Sequence, residues 1–177
     1  NLYHNYTVDE QLLKTVGFMS KIINNTLSQP HPFTSNFNAK LDNKKVLLLS
    51  AFLHDIGKGL GGEHNLKGAK KAKKIVLNLN ENTDTVKETA WLIENHMLLS
   101  EFAFKKDIED DSVIKTICEN INTIDRLNNL YLLTVSDISA VDHGIWNDWK
   151  ARLLKALYTK IQSEVLKPEQ NLSLIHI

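Results

Sequence analysis

The segment "VLLLSAFLHDIGKG" ends an apolar run on His54 and Asp55, an imidazole and a carboxylate side by side, before a glycine-rich exit. Polar groups closing such a run cost free energy unless a partner satisfies them, so local capping and metal binding are the two readings of the pair. A second acid, Asp137, lies inside the apolar "LLTVSDISAV", where an unpaired carboxylate is expensive unless it meets a cation. His64 follows the glycine loop, and His96 closes "LIENHM" on or near its inward face. Singly, each histidine is more often a structural residue. Together the set has the composition of a mixed imidazole–carboxylate site for a divalent ion, with Mn, Fe, Zn and Mg all compatible. A bound cation of this kind can activate water and offset negative charge that develops on a substrate.

Helices must bring these residues together. Thr7 with Glu10 forms a capping box, and Val8, Leu12, Val16, Met19, Ile23 and Leu27 recur at helical spacing, predicting a helix over 8–27. The stretch "SQPHPFTSNFNAKLD" reads as a loop. Residues 43–56 are apolar on every side, as in a central helix surrounded by others. "GKGLGG" ends it, and helical spacing resumes over 63–79 with Leu66, Ala69, Ala72, Val76 and Leu79 inward and the lysines largely outward. Further helices are expected over 82–97, 112–121, 127–141 and 146 to about 166, the last lined by Trp149, Leu153, Leu157, Ile161 and Val165, with an irregular stretch before Asp111. No segment alternates like a strand, so the expected fold is a single all-α bundle of about seven helices over residues 1–167. The chain opens without Met and closes on "NLSLIHI", so 168–177 is read as a tail outside the fold and the whole as a piece of a longer protein.

Lys plus Arg and Asp plus Glu number 21 each, so no bulk field favours nucleic acid or an anionic membrane. The lone Cys118 excludes a disulfide framework and a cysteine metal site, and no apolar run reaches the roughly 20 residues of a membrane span. A cytoplasmic protein is expected. Trp146 and Trp149 read as core, His143 as a cap, and His31 and His176 receive no role.

The ordered set "YTVDE", "LLSAFLHDIGKG", "GEHNLKGA", "LIENHMLLS", "KKDI", "LYLLTVSDISAV" and "WNDWKARLL" resembles the HD-domain phosphohydrolases, named for the adjacent His-Asp pair. Within them it is most similar to the uridylyl-removing HD domains of the bifunctional enzymes that modify the nitrogen signal protein PII. The resemblance implies that His54, Asp55 and Asp137 are the core metal ligands. It makes His64 and His96 candidates for a second ion or for the phosphate, and Lys58 a group that neutralises a phosphate oxygen. Asp55, Lys58, His64 and His96 then form the catalytic set. One or two divalent ions are implied as cofactor, with PII as substrate and the other domains of a full-length enzyme as partners. The bond cut would join UMP to a tyrosine, whose phenolate, with a parent pKa of about 10, leaves without a strong general acid.

One departure stands out. Where the narrower family has the first histidine of the metal signature, this chain has Gln11, a poorer ligand for a borderline ion, which implies weaker binding or a shift toward oxygen-favouring metals. His4 matches another family histidine and is a further candidate ligand. Two rival readings remain at this level: a hydrolase of another nucleotide or cyclic nucleotide, and a metal-poor regulatory module that binds PII or a nucleotide.

Overall fold

The computed structural model describes residues 7–27, 41–141 and 146–174, without the side chains of 41–42 and 168–174. These residues form eight helices: α1 Val8–Ile23, α2 Leu41–Leu53, α3 His64–Asn78, α4 Thr83–Asn95, α5 Leu98–Lys105, α6 Asp111–Asn120, α7 Ile124–Val141 and α8 Asp148–Leu174. The architecture is the expected all-α bundle, and no described helix is long and apolar enough to cross a membrane. His4, His31, His143, His176 and most of the proline-containing loop lie outside the described residues.

The capping box at Thr7 forms, with Glu10 accepting from the Thr7 amide at 3.1 Å. The helix it opens does not bury the expected stripe. Its buried residues are Gln11, Thr15, Met19 and Ile22, while Val8 is exposed and Leu12 and Val16 are half-buried. Two polar side chains can turn inward because both are satisfied: Thr15 donates to the Gln11 carbonyl at 2.9 Å, and Gln11 donates across to α7.

Helix α2 packs against α1, α3, α4 and α7, as its apolar circumference demands, although Phe52 stays about half exposed. The more enclosed helix is α7. It is buried at Leu127 and continuously from Asn129 to Ser136, and it touches α1, α2, α4, α5 and α8. Helices α3 and α4 form a pair whose small residues, Ala69 and Ala72, close over Val76, Val86 and Ile93. Arg126 ties α7 to α4 by a forked pair of 2.9 Å bonds to Glu88, its guanidinium lying 4.5 Å from the centre of the Trp91 ring.

Three expectations need correction. Residues 98–105, expected to be irregular, form α5. Met97 keeps a helical backbone, so the chain restarts a helix with no Gly, Pro or side-chain cap to announce it, and Leu99 and Ala103 anchor it to the core. Trp149 does not line α8: it is 55% exposed and lies against Phe104, 6.2 Å between ring centres, while Leu154, Leu157, Tyr158 and Ile161 are buried. Leu79, expected inward, caps α3 from outside its last turn and is exposed.

Candidate metal centre

Four helices deliver the site. The chain leaves α2 at Leu53 into a run of tight turns, in which Ile56 N–H bonds Leu53 O at 3.0 Å and Lys58 N–H bonds Asp55 O at 2.8 Å. His54 and Asp55 therefore close the apolar run as expected, on the first residues past a helix that ends at Leu53 and not near residue 56. His96 has the same relation to α4. Asp137 comes from the last turns of α7 and Gln11 from the first turn of α1.

The two histidines are held alike. His54 Nδ1 lies 2.9 Å from Ala51 O, and His96 Nδ1 lies 2.7 Å from Ile93 O, each three residues back along its own chain. A carbonyl only accepts, so Nδ1 carries the proton in both rings and Nε2 is the atom turned to the acids. From His54 Nε2, Asp137 Oδ1 is 3.1 Å away and Asp55 Oδ2 3.4 Å. His96 Nε2 is 3.7 Å from Asp55 Oδ1, and the two rings meet edge to face at 5.3 Å. One ligand atom from each of His54, Asp55 and Asp137 lies within 4.8 Å of the others. His54, Asp55 and His96 are buried, and the Asp137 side chain is 26% exposed, so the cluster opens on its Asp137 side. The C-termini of α2 and α4 both end here, and their partial negative charge favours a cation.

Of the other residues singled out in the sequence, Lys58 bonds Asp55 Oδ2 at 2.5 Å and Gln11 Nε2 bonds Asp137 Oδ1 at 3.2 Å. His64 opens α3 half-buried and makes no side-chain hydrogen bond or ion pair with the described residues. It stands outside the close group, although its carbonyl abuts Gly57. His4 lies outside the described residues. The carbonyls of Ala51 and Ile93, which orient both rings, were not foreseen. The signal for them was present: a histidine as the first residue past a helix can reach the carbonyl three back. Lys67 is exposed, as expected of the outward lysine run, and also grips the glycine loop by bonding Leu60 O at 2.9 Å and Gly61 O at 2.6 Å.

Charge is tightly coupled in the cluster. Burial opposes a charge on His54, but hydrogen bonds to Asp137 and Asp55 and their negative charges outweigh it, raising its pKa from 6.5 to about 10. Burial likewise opposes charge on Asp55 and Asp137, yet His54, with Lys58 at Asp55, holds both below the usual carboxylate range. Burial and the neighbouring His54 charge push His96 down, leaving its Nε2 lone pair free.

A raised histidine contributes stability that is complete below its ordinary pKa and lost as pH rises through its folded value; depressed carboxylates contribute stability that is lost as pH falls. His96, held below its ordinary value, adds stability that is lost as pH falls below about 6.5. Without metal, the denaturation midpoint is therefore expected to peak near pH 6.5, declining toward acid as His96 and the carboxylates take up protons and toward pH 10 as His54 loses one. A cation requires neutral His54, so binding should expel about one proton near pH 7, and the stabilisation by metal should grow with pH across that window. Calorimetric titration of Mn²⁺ in buffers of different ionisation heat measures the proton count; a count of zero would contradict the charge state assigned to His54.

The HD domain family model matches residues 14–130, about two thirds of the chain, spanning His54, Asp55, His64 and His96. Curated relatives named bifunctional uridylyltransferase/uridylyl-removing enzyme are similar to it. The one from Erythrobacter litoralis is 39% identical over 158 residues, covering 89% of this chain and 17% of the relative. That from Zymomonas mobilis is 40% identical over 158 residues, with coverages of 89% and 17%. That from Neisseria meningitidis serogroup B is 37% identical over 161 residues, with coverages of 89% and 18%. The chain thus spans less than a fifth of the length of these relatives. An adjacent His-Asp pair at the end of a buried helix, facing an aspartate from a later one inside an all-α bundle, agrees with the family match: this chain belongs to the HD domain family.

Proposed function

We propose that the chain is a metal-dependent phosphohydrolase domain that removes UMP from uridylylated PII, within a longer multidomain enzyme. The observation that carries the reading is the convergence of ligand atoms from His54, Asp55 and Asp137 within 4.8 Å, drawn from two separate parts of the chain. The donor set fits a divalent ion: two carboxylates, one imidazole with Nε2 turned inward, and a second imidazole, His96, at the edge. Such an ion, when bound, supplies an activated water and positive charge against the phosphoryl oxygens.

The residues around it have separate tasks. His54, Asp55 and Asp137 hold the cation, and the Ala51 carbonyl keeps the His54 proton on Nδ1. His96, with its lone pair free, lies beside Asp55, its Nε2 3.7 Å from Asp55 Oδ1, and is a further ligand or a contact to phosphate. Lys58, one third exposed, exchanges its bond to Asp55 for one to a phosphate oxygen once a cation takes over the Asp55 charge. His64, from the start of α3, is a peripheral contact to the substrate. The substrate assignment rests on the names of the relatives, which cover the same 89% of this chain.

The test is release of UMP from uridylylated PII by the chain with and without Mn²⁺, repeated with Gln11→His. Mn-dependent release is expected, and restoring imidazole should increase it. No release by either protein, with Mn²⁺ bound at one equivalent, would overturn the substrate; hydrolysis of a free or cyclic nucleotide instead would redirect it.

A further inference from the structure

Gln11 is the one polar side chain of the cluster that the metal-centre reading leaves without a task. It is 7% exposed, on the first turn of α1, and its Nε2 lies 3.2 Å from Asp137 Oδ1. That oxygen already faces His54 Nε2 at 3.1 Å, so two donors, one on α1 and one in the turn after α2, converge on one carboxylate oxygen. A carboxylate only accepts, which settles the end of the amide: the NH₂ faces Asp137, and Oε1, the sole ligand atom glutamine possesses, is turned from it. Presenting Oε1 at that point would set oxygen against oxygen.

The backbone beneath Gln11 is fixed as well. Thr15 bonds the Gln11 carbonyl at 2.9 Å, and one step further along the same α1–α7 seam Ser136 Oγ lies 3.8 Å from Met19 Sδ. A buried amide on a satisfied helix turn, aimed at a partner 126 residues away, is a placed group and not a filler.

We infer that Gln11 is a positioning residue and not a metal ligand: its amide clamps Asp137 Oδ1 across the α1–α7 seam, with or without a cation bound. This rests on the metal-centre reading for its consequence. With Gln11 as a clamp, the position an imidazole would occupy is left to water or substrate, and the remaining donors are rich in oxygen. Such a set favours Mn²⁺ and Mg²⁺ over softer, nitrogen-seeking ions. Groups that orient metal ligands are worth roughly 10–100-fold in affinity, so the clamp matters even though it never touches the ion.

Two measurements test it. In nitrogen-15 spectra the Gln11 side-chain amide protons, assigned by their loss in Gln11→Met, are expected to exchange slowly in the metal-free protein and to stay protected on saturation with diamagnetic Mg²⁺. Absence of protection without metal overturns the clamp. Loss of protection on adding Mg²⁺, with a downfield move of the Gln11 Cδ resonance, means that Oε1 has become a ligand and also overturns it. Separately, Mn²⁺ binding followed by electron paramagnetic resonance should weaken by about tenfold in Gln11→Met, which keeps the volume and removes the hydrogen bond. Unchanged affinity overturns the proposal. If wild-type protein binds neither ion, the metal-centre reading fails, while exchange protection in the metal-free protein still decides the clamp.

Discussion

Asp55→Asn is expected to weaken Mn²⁺ binding by at least about 100-fold, because even groups that only orient metal ligands are worth roughly 10–100-fold and Asp55 sits at the centre of the donor set. Its carboxylate faces His54 at 3.4 Å, His96 at 3.7 Å and Lys58 at 2.5 Å, with 4% of the residue exposed. The substitution keeps the shape and removes the charge, so packing is nearly unchanged and the loss reports electrostatics. Phosphodiester hydrolysis should fall further, on the order of 1000-fold, since each tenfold in rate is about 1.36 kcal/mol and both cation binding and charge compensation at Lys58 depend on this carboxylate. The metal-free protein should respond in a second way. Removing one partner of a buried ion pair typically costs about 3–5 kcal/mol. Here the cost should fall toward the low end, because His54 retains Asp137 and Lys58 can turn to solvent. Titration of Mn²⁺ and urea denaturation of the same sample separate the two effects. A variant that binds Mn²⁺ like the parent would remove Asp55 from the site.

The helical character of the chain and the identity of the cluster were legible because both rest on local signals. Apolar spacing sets helix faces, and a carboxylate inside "LLTVSDISAV" is costly enough to announce a partner wherever the helix lies. What periodicity could not deliver was rotation. On α1 it points Leu12 and Val16 inward, whereas Gln11 and Thr15 occupy the buried positions beside them. The free energy that decides this is a hydrogen bond to Asp137, a residue of another helix, and no window on α1 contains that information. Helix α5 was missed for a related reason. Its start carries no capping residue, and the break at His96–Met97 exists because the His96 ring turns back to Ile93 O and inward to the acids. The role of His64 rests on the resemblance alone: the structure sets it outside the group formed by His54, Asp55 and Asp137, and its assignment to a second ion or to phosphate stays a proposal. Proximity was therefore foreseen where a residue's own chemistry demanded a partner, as for His54, Asp55 and Asp137, and less well where the partner had to be chosen among helices.

Gly57→Ala is expected to destabilise the fold by about 3 kcal/mol, at the upper end of overpacking costs, and to weaken Mn²⁺ binding although Gly57 bears no side chain in the site. A Cβ at this position would lie 2.0 Å from the His64 carbonyl oxygen, 2.9 Å from Gly68 N and 3.0 Å from Gly68 Cα. All three are backbone atoms of α3, so no side chain can swing aside. Either α3 or the turn carrying Asp55, two residues upstream, must move. Movement of α3 would open the small cluster of Ala69, Ala72 and Val76 against Ile93, and movement of the turn would spoil the Asp55 contacts. Neighbouring glycines supply the controls. Gly59 has open space but a φ of +83°, so Gly59→Ala should cost only about 1 kcal/mol of backbone strain. Gly68→Ala brings its Cβ to 3.3 Å from Gly57 N, a mild crowding offset by the roughly 1 kcal/mol helix preference of Ala over Gly, and should be near neutral. The expected order of urea midpoints is therefore Gly68→Ala highest, Gly59→Ala next and Gly57→Ala lowest. A Gly57→Ala protein as stable as Gly59→Ala would mean that α3 does not press against the metal-site turn, and that the site is positioned by α1, α2, α4 and α7 alone.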